Sequence, residues 1–411
     1  MKTVLTNRSL RHLVLINMLF GMTEALFALR TIFLSTNGMS ASQIGLVFSL
    51  SSVLGTFSPI IGGWLADRFY SRYRVFFVSV LGYAVVVALL PVSAGIRIGS
   101  TILSMVLMPC LQVFHPAGST LIATCSINAT YAHKGVDYSM LRIWMSLGYT
   151  IANFAFTPIM KYLGVDAPFY IALVFFGAIF FLRRTMQEFE TVPIEGGAPA
   201  DRHKLNYKGI LKNFYIMTFV VINVIFAAAG NCSMYLSYLL ADRAIDASQI
   251  GVVSAVKVCG EIVILLMLPR IKRFLSLSGL QLMAGLFLTA EMLLMQFAGN
   301  LLTVSLIAML GGLGNGIALC TAGLYVRTMA PEGLEATAHS LWSMGSSLGG
   351  IILSFVFGRI LDLYGVSANY WCAFGLECSW LVLFLGTLLF GRFVLKKKNA
   401  VPMLFVRGDE A

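Results

Sequence analysis

Eight ionisable side chains lie inside long apolar runs of this chain: Glu24, Arg30, His115, Arg142, Lys257, Glu261, Glu291 and Glu377. A charge in hydrocarbon costs about 2.5–3.5 kcal/mol on insertion scales unless it meets partners or water, so such residues tend to mark ion and solute paths. Lys257 and Glu261 are four apart and share one helical face. Two readings stand. The two side chains pair within the helix, which lowers the cost of burying both. Alternatively, Glu261 alternates between a neutral protonated state when desolvated and an ionised state, paired with Lys257 or Arg142, when hydrated. A transported proton needs a switch of the second kind. Arg142 keeps its charge at any working pH. It suits a substrate oxygen, a counter-charge that drives Glu261 to release its proton, or a snorkelling contact with the cytoplasmic surface. Glu24 follows Asn17 by seven residues on the same helical face, a polar stripe toward a cavity. Arg30 is turned about 120° from Glu24, which suits an outer mouth better than a pair within the helix. His115 follows Gln112 and precedes Pro116, and imidazole is the side chain whose charge changes most readily around neutral pH. It fits a proton relay, a donor to a substrate hydroxyl, or a packing group. Glu291 and Glu377 are also buried in apolar runs.

The elements that carry these residues follow from composition. The chain has 411 residues, 58% hydrophobic and 11% charged, with a mean hydropathy of +0.85; an ordinary soluble domain is roughly one quarter charged. A soluble fold is excluded. At about 20 apolar residues per crossing plus a short connection, there is room for roughly twelve to fourteen helices. Polar breaks divide the chain into apolar segments at 10–35, 42–66, 74–93, 97–126, 138–163, 167–186, 211–240, 248–269, 278–298, 300–328, 336–361 and 369–395. The expectation is an all-α integral membrane fold of twelve transmembrane helices. The first apolar run is too long for a signal-peptide core and contains Glu24 and Arg30, so it reads as a retained helix. The seven cysteines all fall in apolar runs without metal-site or disulfide spacing. No metal or resident cofactor is expected.

The net charge of +11 is distributed by loop. Lys2, Arg8 and Arg11, Arg68, Arg72 and Arg74, Arg183 to Lys212, Arg270 to Arg273, and Arg392 to Lys398 fall on one set of connections. The other set holds Arg97, Lys161, Arg243 and Arg359. This bias places both termini and the middle loop in the cytoplasm of a multi-pass cell-membrane protein. The basic surplus is then topology, and nucleic acid is not an expected partner.

The polar stretch from Gln187 to Lys212, with Pro193, Gly196, Gly197 and Pro199, reads as a connector. The domain boundaries that follow are 1–186 for a first six-helix half, 187–210 for a cytoplasmic linker, 211–398 for a second half and 399–411 for a tail. The halves repeat one another. Ala41-Ser42-Gln43-Ile44-Gly45 returns as Ala247-Ser248-Gln249-Ile250-Gly251, 206 residues later. Gly164-Val165-Asp166-Ala167 returns as Gly365-Val366-Ser367-Ala368, and Ser146-Leu147-Gly148 as Ser347-Leu348-Gly349, both 201 residues later. Duplicated six-helix halves are the layout of rocking transporters, with a solute site expected between them near mid-membrane.

Gly63-Trp64-Leu65-Ala66-Asp67-Arg68-Phe69-Tyr70-Ser71-Arg72 resembles the signature loop G-x-x-x-D-R-x-G-R-[RK] of the major facilitator superfamily, with Tyr70 and Ser71 departing from it. The resemblance implies that Gly63, Asp67, Arg68 and Arg72 form a cytoplasmic gate, a carboxylate at a helix end held by guanidinium groups. Arg142-Ile143-Trp144-Met145-Ser146-Leu147-Gly148-Tyr149 is similar to R-[IL]-W-G-[ST]-[IL]-G-[FY] of the proton-coupled nucleoside, oligosaccharide and phenylpropionate branch, with Met145 in place of glycine. Glu261 sits where that branch places a membrane carboxylate. The resemblance also places Asn223, Asn231, Asn315, Trp144, Tyr149 and Trp342 on cavity-forming helices, where amides and aromatics suit hydroxyl-rich or ring-bearing solutes or bond a neighbouring helix. It makes helices nine and twelve, with Glu291 and Glu377, peripheral.

Gly345-Ser346-Ser347-Leu348-Gly349 fits G-x-S-x-G, but that motif needs a strand-to-helix elbow. Here it lies in an apolar helix, where glycines four apart permit close helix packing, as do Gly312 and Gly316. An enzyme is not expected. The expected function is proton symport of a small polar or amphipathic organic solute by a functional monomer, with the proton as coupling ion. Proton-coupled efflux of sugars or drugs is the alternative, and a non-transporting membrane sensor a more distant one.

Overall fold

Each apolar segment of the sequence is bounded by a polar residue able to end or begin a helix, and the structure uses these residues in parallel in the two halves. The computed structural model describes residues 7–68, 72–98, 101–133, 136, 138–182, 184–189, 207–331, 334–396, 401 and 404. The first half holds α1 (Arg8–Thr36, with one turn residue at Ala25), α2 (Ala41–Arg68), α3 (Arg72–Ser93), α4 (Leu103–Ala132), α5 (Tyr138–Leu163) and α6 (Ala167–Leu182). The second holds α7 (Phe214–Asp242), α8 (Ile250–Ile271), α9 (Leu277–Met295), α10 (Leu301–Met329), then α11 and α12 at 335–364 and 366–389. The last two run on from one another, with non-helical backbone at Gly365. The described residues thus include twelve long helices, the number that the hydropathy pattern requires, besides short helices at Thr185–Glu188 and Tyr207–Lys212. The strands among the described residues are the two-residue pair Arg97–Ile98 and Thr101–Ile102, antiparallel between α3 and α4.

Asn7 caps α1 by accepting from the Ser9 and Leu10 amides, and Asn213 caps α7 by accepting from those of Tyr215 and Ile216. These two caps stand 206 residues apart, the offset of the Ala-Ser-Gln-Ile-Gly repeat. Gly164 after α5 and Gly365 after α11 have φ of +89° and +81°, the left-handed region that glycine enters without steric cost. Duplication has thus preserved the punctuation of both halves.

The chain forms two compact units, residues 1–195 with 244–255, and residues 196–243 with 256–411. The division departs from the sequence boundaries at 244–255, the loop and first turn of α8, which groups with the first unit. Gly251 there stands so close to α5 that a Cβ would lie 2.4 Å from the Asn153 carbonyl oxygen. Most of the expected linker and tail lie outside the described residues.

Candidate functional site

In the first unit, α1 and α5 cross at backbone contact. A Cβ on Gly21 would meet the Met145 carbonyl oxygen at 2.0 Å, and one on Gly148 the Met18 carbonyl oxygen at 2.0 Å. The glycine that the helix-five pattern lacks at Met145 is thus supplied from α1. This crossing sets the polar stripe of α1 beside the segment from Arg142 to Tyr149.

Glu24 then reaches α4. His115 Nε2 lies 3.0 Å from Glu24 Oε1, a distance at which an Nε2–H donates to the carboxylate, and the side chains are 13% and 19% exposed. The imidazole stacks on Phe20 at 5.1 Å between centroids and is edge-on to Phe27 at 4.6 Å and Tyr83 at 5.4 Å. Tyr83 in turn donates to the Thr23 carbonyl at 3.1 Å. Pro116 has no N–H for the Gln112 carbonyl, which loosens α4 one turn from the histidine. The pair is an ion pair when His115 is protonated and a polar hydrogen bond when it is not, so one proton changes the charge of a nearly enclosed site.

Arg30 is buried farther along α1. Its guanidinium lies over the rings of Phe27 and Phe48, at 4.6 and 4.9 Å, and its Nε donates to the Phe27 carbonyl at 3.3 Å. It makes no ion pair with a carboxylate among the described residues. Cation–π contact offsets the cost of burying the guanidinium there. Asn17 donates to the Leu13 carbonyl at 2.9 Å and to Ser126 Oγ on α4 at 3.3 Å, so its amide is committed to helix packing. Gln112 is half-buried, and its Oε1 would be 3.3 Å from a Cβ on Gly55 of α2. Arg142, Trp144 and Tyr149 are half-buried on α5.

In the second unit, the lysine of α8 has a partner that the sequence reading set aside. Lys257 Nζ lies 2.7 Å from Glu291 Oε1 on α9 and 3.5 Å from Ser233 Oγ on α7. The family pattern made α9 peripheral, yet the cost of burying Glu291 was visible in the sequence and is met here by the ammonium. Glu261 is half-buried, one turn on, with its stem beside α10: a Cβ on Gly316 would stand 3.1 Å from Glu261 Cγ, and one on Gly312 would stand 1.9 Å from the Lys257 carbonyl oxygen. The small-residue spacing of α10 thus brings α8 into close contact. Asn223 donates to Ser346 Oγ on α11 at 2.6 Å, and Asn231 to the Ala227 carbonyl at 2.8 Å. The first bond joins α7 to α11, and the second stays within α7. Asn315 is exposed on α10, and Trp342 is half-buried on α11 beside His339, 5.2 Å between ring centroids.

Gly63 lies within α2, Asp67 and Arg68 end it and Arg72 begins α3; the side chains of Asp67, Arg68 and Arg72 lie outside the described residues. A cleft of about 430 Å³ between α2, α3 and α4 has Ser58, Ser79 and Arg74 as its polar lining and contains none of the candidate solute residues. It is an apolar recess between helices.

Twelve apolar helices in duplicated halves, with a partly buried titratable pair inside each half, define a multi-pass membrane transporter of the major facilitator class. Residues 14–373 match the MFS_1 like family, and the chain belongs to that family. The maltose permease of Geobacillus stearothermophilus is 25% identical over 86% of this chain and 88% of its own length. The uncharacterized transporter YwbF of Bacillus subtilis (strain 168) is 23% identical over 81% of each chain. Among solved structures, the nucleoside transporter NupG superposes with a TM-score of 0.73 at 15% identity, covering 94% of this chain and 100% of that one. A D-xylose-proton symporter superposes with a TM-score of 0.67 at 12% identity, covering 95% and 97%. The relatives are transporters, and so is this chain; it is not an enzyme.

Proposed function

We propose that the transporter moves a small polar or amphipathic organic solute together with a proton, by alternating access. Sugars or oligosaccharides, nucleosides and aromatic acids are the solute classes. The carrying observation is the Glu24–His115 pair: a carboxylate and an imidazole, 3.0 Å apart and shielded by Phe20, Phe27 and Tyr83, can take up and release one proton inside the hydrocarbon span. In this reading Glu261, Lys257 and Arg142 contribute to coupling, and Gln112, Trp144, Tyr149, Asn315 and Trp342 to solute contact. Asp67, Arg68 and Arg72 with Gly63 form the cytoplasmic gate. The 25% identity to a maltose permease supports testing sugars first. The basic loops support cytoplasmic termini.

The test is uptake into proteoliposomes, offering maltose, a nucleoside and a phenylpropionate under an inward-directed proton gradient. One class should accumulate above equilibrium and lose that excess on addition of a protonophore. Gradient-driven expulsion, or no gradient-driven flux with any class, would overturn symport. In the same vesicles Glu261→Gln should lose uphill uptake and keep solute exchange. Wild-type proton coupling in that variant would remove Glu261 from the mechanism.

A further inference from the structure

Glu291 on α9 is 2% exposed, and Glu377 on α12 is 1% exposed. Lys257 satisfies one oxygen of Glu291 at 2.7 Å, whereas Glu291 Oε2 and Glu377 Oε2 are buried without a hydrogen-bond partner. Glu377 interacts electrostatically with both Glu291 and Lys257. Among the described residues, Cys232 of α7 and Tyr370 of α12 interact electrostatically with Glu291, and Cys378 with its chain neighbour Glu377. Helix α10 contributes bare backbone: a Cβ on Gly311 would lie 2.0 Å from the Glu291 carboxyl carbon, so the carboxyl group occupies the place of a side chain.

The charges do not balance. Two carboxylates and one ammonium leave one uncompensated negative charge in an apolar interior, which is costly to bury. Binding one cation would neutralise the cluster. A metal ion fits poorly. Hard cations take six or more oxygens; the described residues include no group of three or more acidic, histidine or cysteine side chains able to hold a metal, and the ammonium already occupies the cluster. A proton needs one carboxylate oxygen, and it converts an orphaned acceptor into a donor.

We infer that Lys257, Glu291 and Glu377 form a proton-binding site on α8, α9 and α12, separate from the Glu24–His115 pair, in which the two carboxyl groups together hold one proton. The proton comes from hydronium on the aqueous side and leaves water behind; no other bond changes. The inference does not depend on the identity of the solute or on symport, because the site is read in the protein without solute.

Infrared difference spectroscopy of the full-length protein in detergent at neutral pH tests it, in a Glu24→Gln and Glu261→Gln background that removes the other carboxyls within the apolar runs. A protonated-carboxyl C=O band should be present and should shift on hydrogen–deuterium exchange. Glu377→Gln should abolish it, because Lys257 and Glu291 then balance. Lys257→Met should approximately double it, because both carboxyls must then be protonated. If Lys257→Met fails to fold, Glu377→Gln, which retains shape and polarity, still decides. Absence of the band in the parent protein, or a band unchanged in Glu377→Gln, would overturn the inference. So would sodium-dependent thermal stabilisation abolished by Glu377→Gln, which would assign a metal ion to the site. Loss of proton-driven uptake with this band retained would instead count against the transport proposal alone.

Discussion

Glu24→Gln should sharply lower uphill uptake of the transported solute while exchange of solute across the vesicle membrane continues. Glutamine keeps the length of the side chain and an oxygen able to accept from His115 Nε2, so the packing of Phe20, Phe27 and Tyr83 around the imidazole is retained. What is lost is the carboxylate, and with it the charge that makes a protonated His115 affordable in hydrocarbon. Coupling free energies of about 1–3 kcal/mol correspond to roughly 5–150-fold, so the accumulation ratio under a fixed gradient should fall by a factor in that range. His115→Asn removes the titrating ring and should give the same phenotype. Wild-type accumulation in Glu24→Gln, measured with labelled solute, would exclude the pair from coupling.

The second large effect concerns the backbone. Gly312→Ala should lower the midpoint of thermal unfolding in detergent by several degrees. Its methyl group would lie 1.9 Å from the Lys257 carbonyl oxygen, and neither helix backbone can yield locally. Overpacking of this kind costs about 1–3 kcal/mol. Because α8 carries Lys257 and Glu261, transport should decline together with stability. Gly375→Ala on α12 is the control: it is exposed, a Cβ there has no neighbour within 4 Å, and alanine favours a helix. Equal melting temperatures for the two variants would show that α8 and α10 are not in backbone contact.

Much of this architecture could be read directly in the sequence. The twelve segments follow from hydropathy alone, since hydrocarbon leaves no other way to satisfy the backbone. The repeat of Gly164 at Gly365 announces the two halves because a left-handed turn favours glycine; the matching caps at Asn7 and Asn213 emerge only from the structure. The candidate site was partly legible. Burial of Glu24, His115 and Lys257 was implied by their place in apolar runs, but which charge met which was not, because pairing between helices depends on rotation and depth rather than spacing. Glu291 shows this. It had the same signal as Glu261, and only the bare surface of Gly311 made room for its carboxyl beside Lys257. The aromatic wall of His115 was invisible for a related reason: Phe20, Phe27 and Tyr83 are ordinary apolar residues until α1, α3 and α4 converge.

Helix α7 changes winding at its centre, from α-helix over Phe214–Gly230 to 3-10 over Asn231–Tyr235 and back to α-helix over Leu236–Asp242. A 3-10 residue advances about 120° and an α residue about 100°. Five such residues turn everything beyond them by roughly a further 100° relative to an unbroken wheel. A helical wheel drawn straight through this helix would therefore send Tyr235 and Ser237 to the wrong neighbours. The true phase is marked by the Tyr235 hydroxyl, which donates to the Ser354 carbonyl at 2.8 Å. Any substitution that restored regular winding here would rotate the far end of the helix by more than a quarter turn, exchanging which side chains meet lipid and which meet protein.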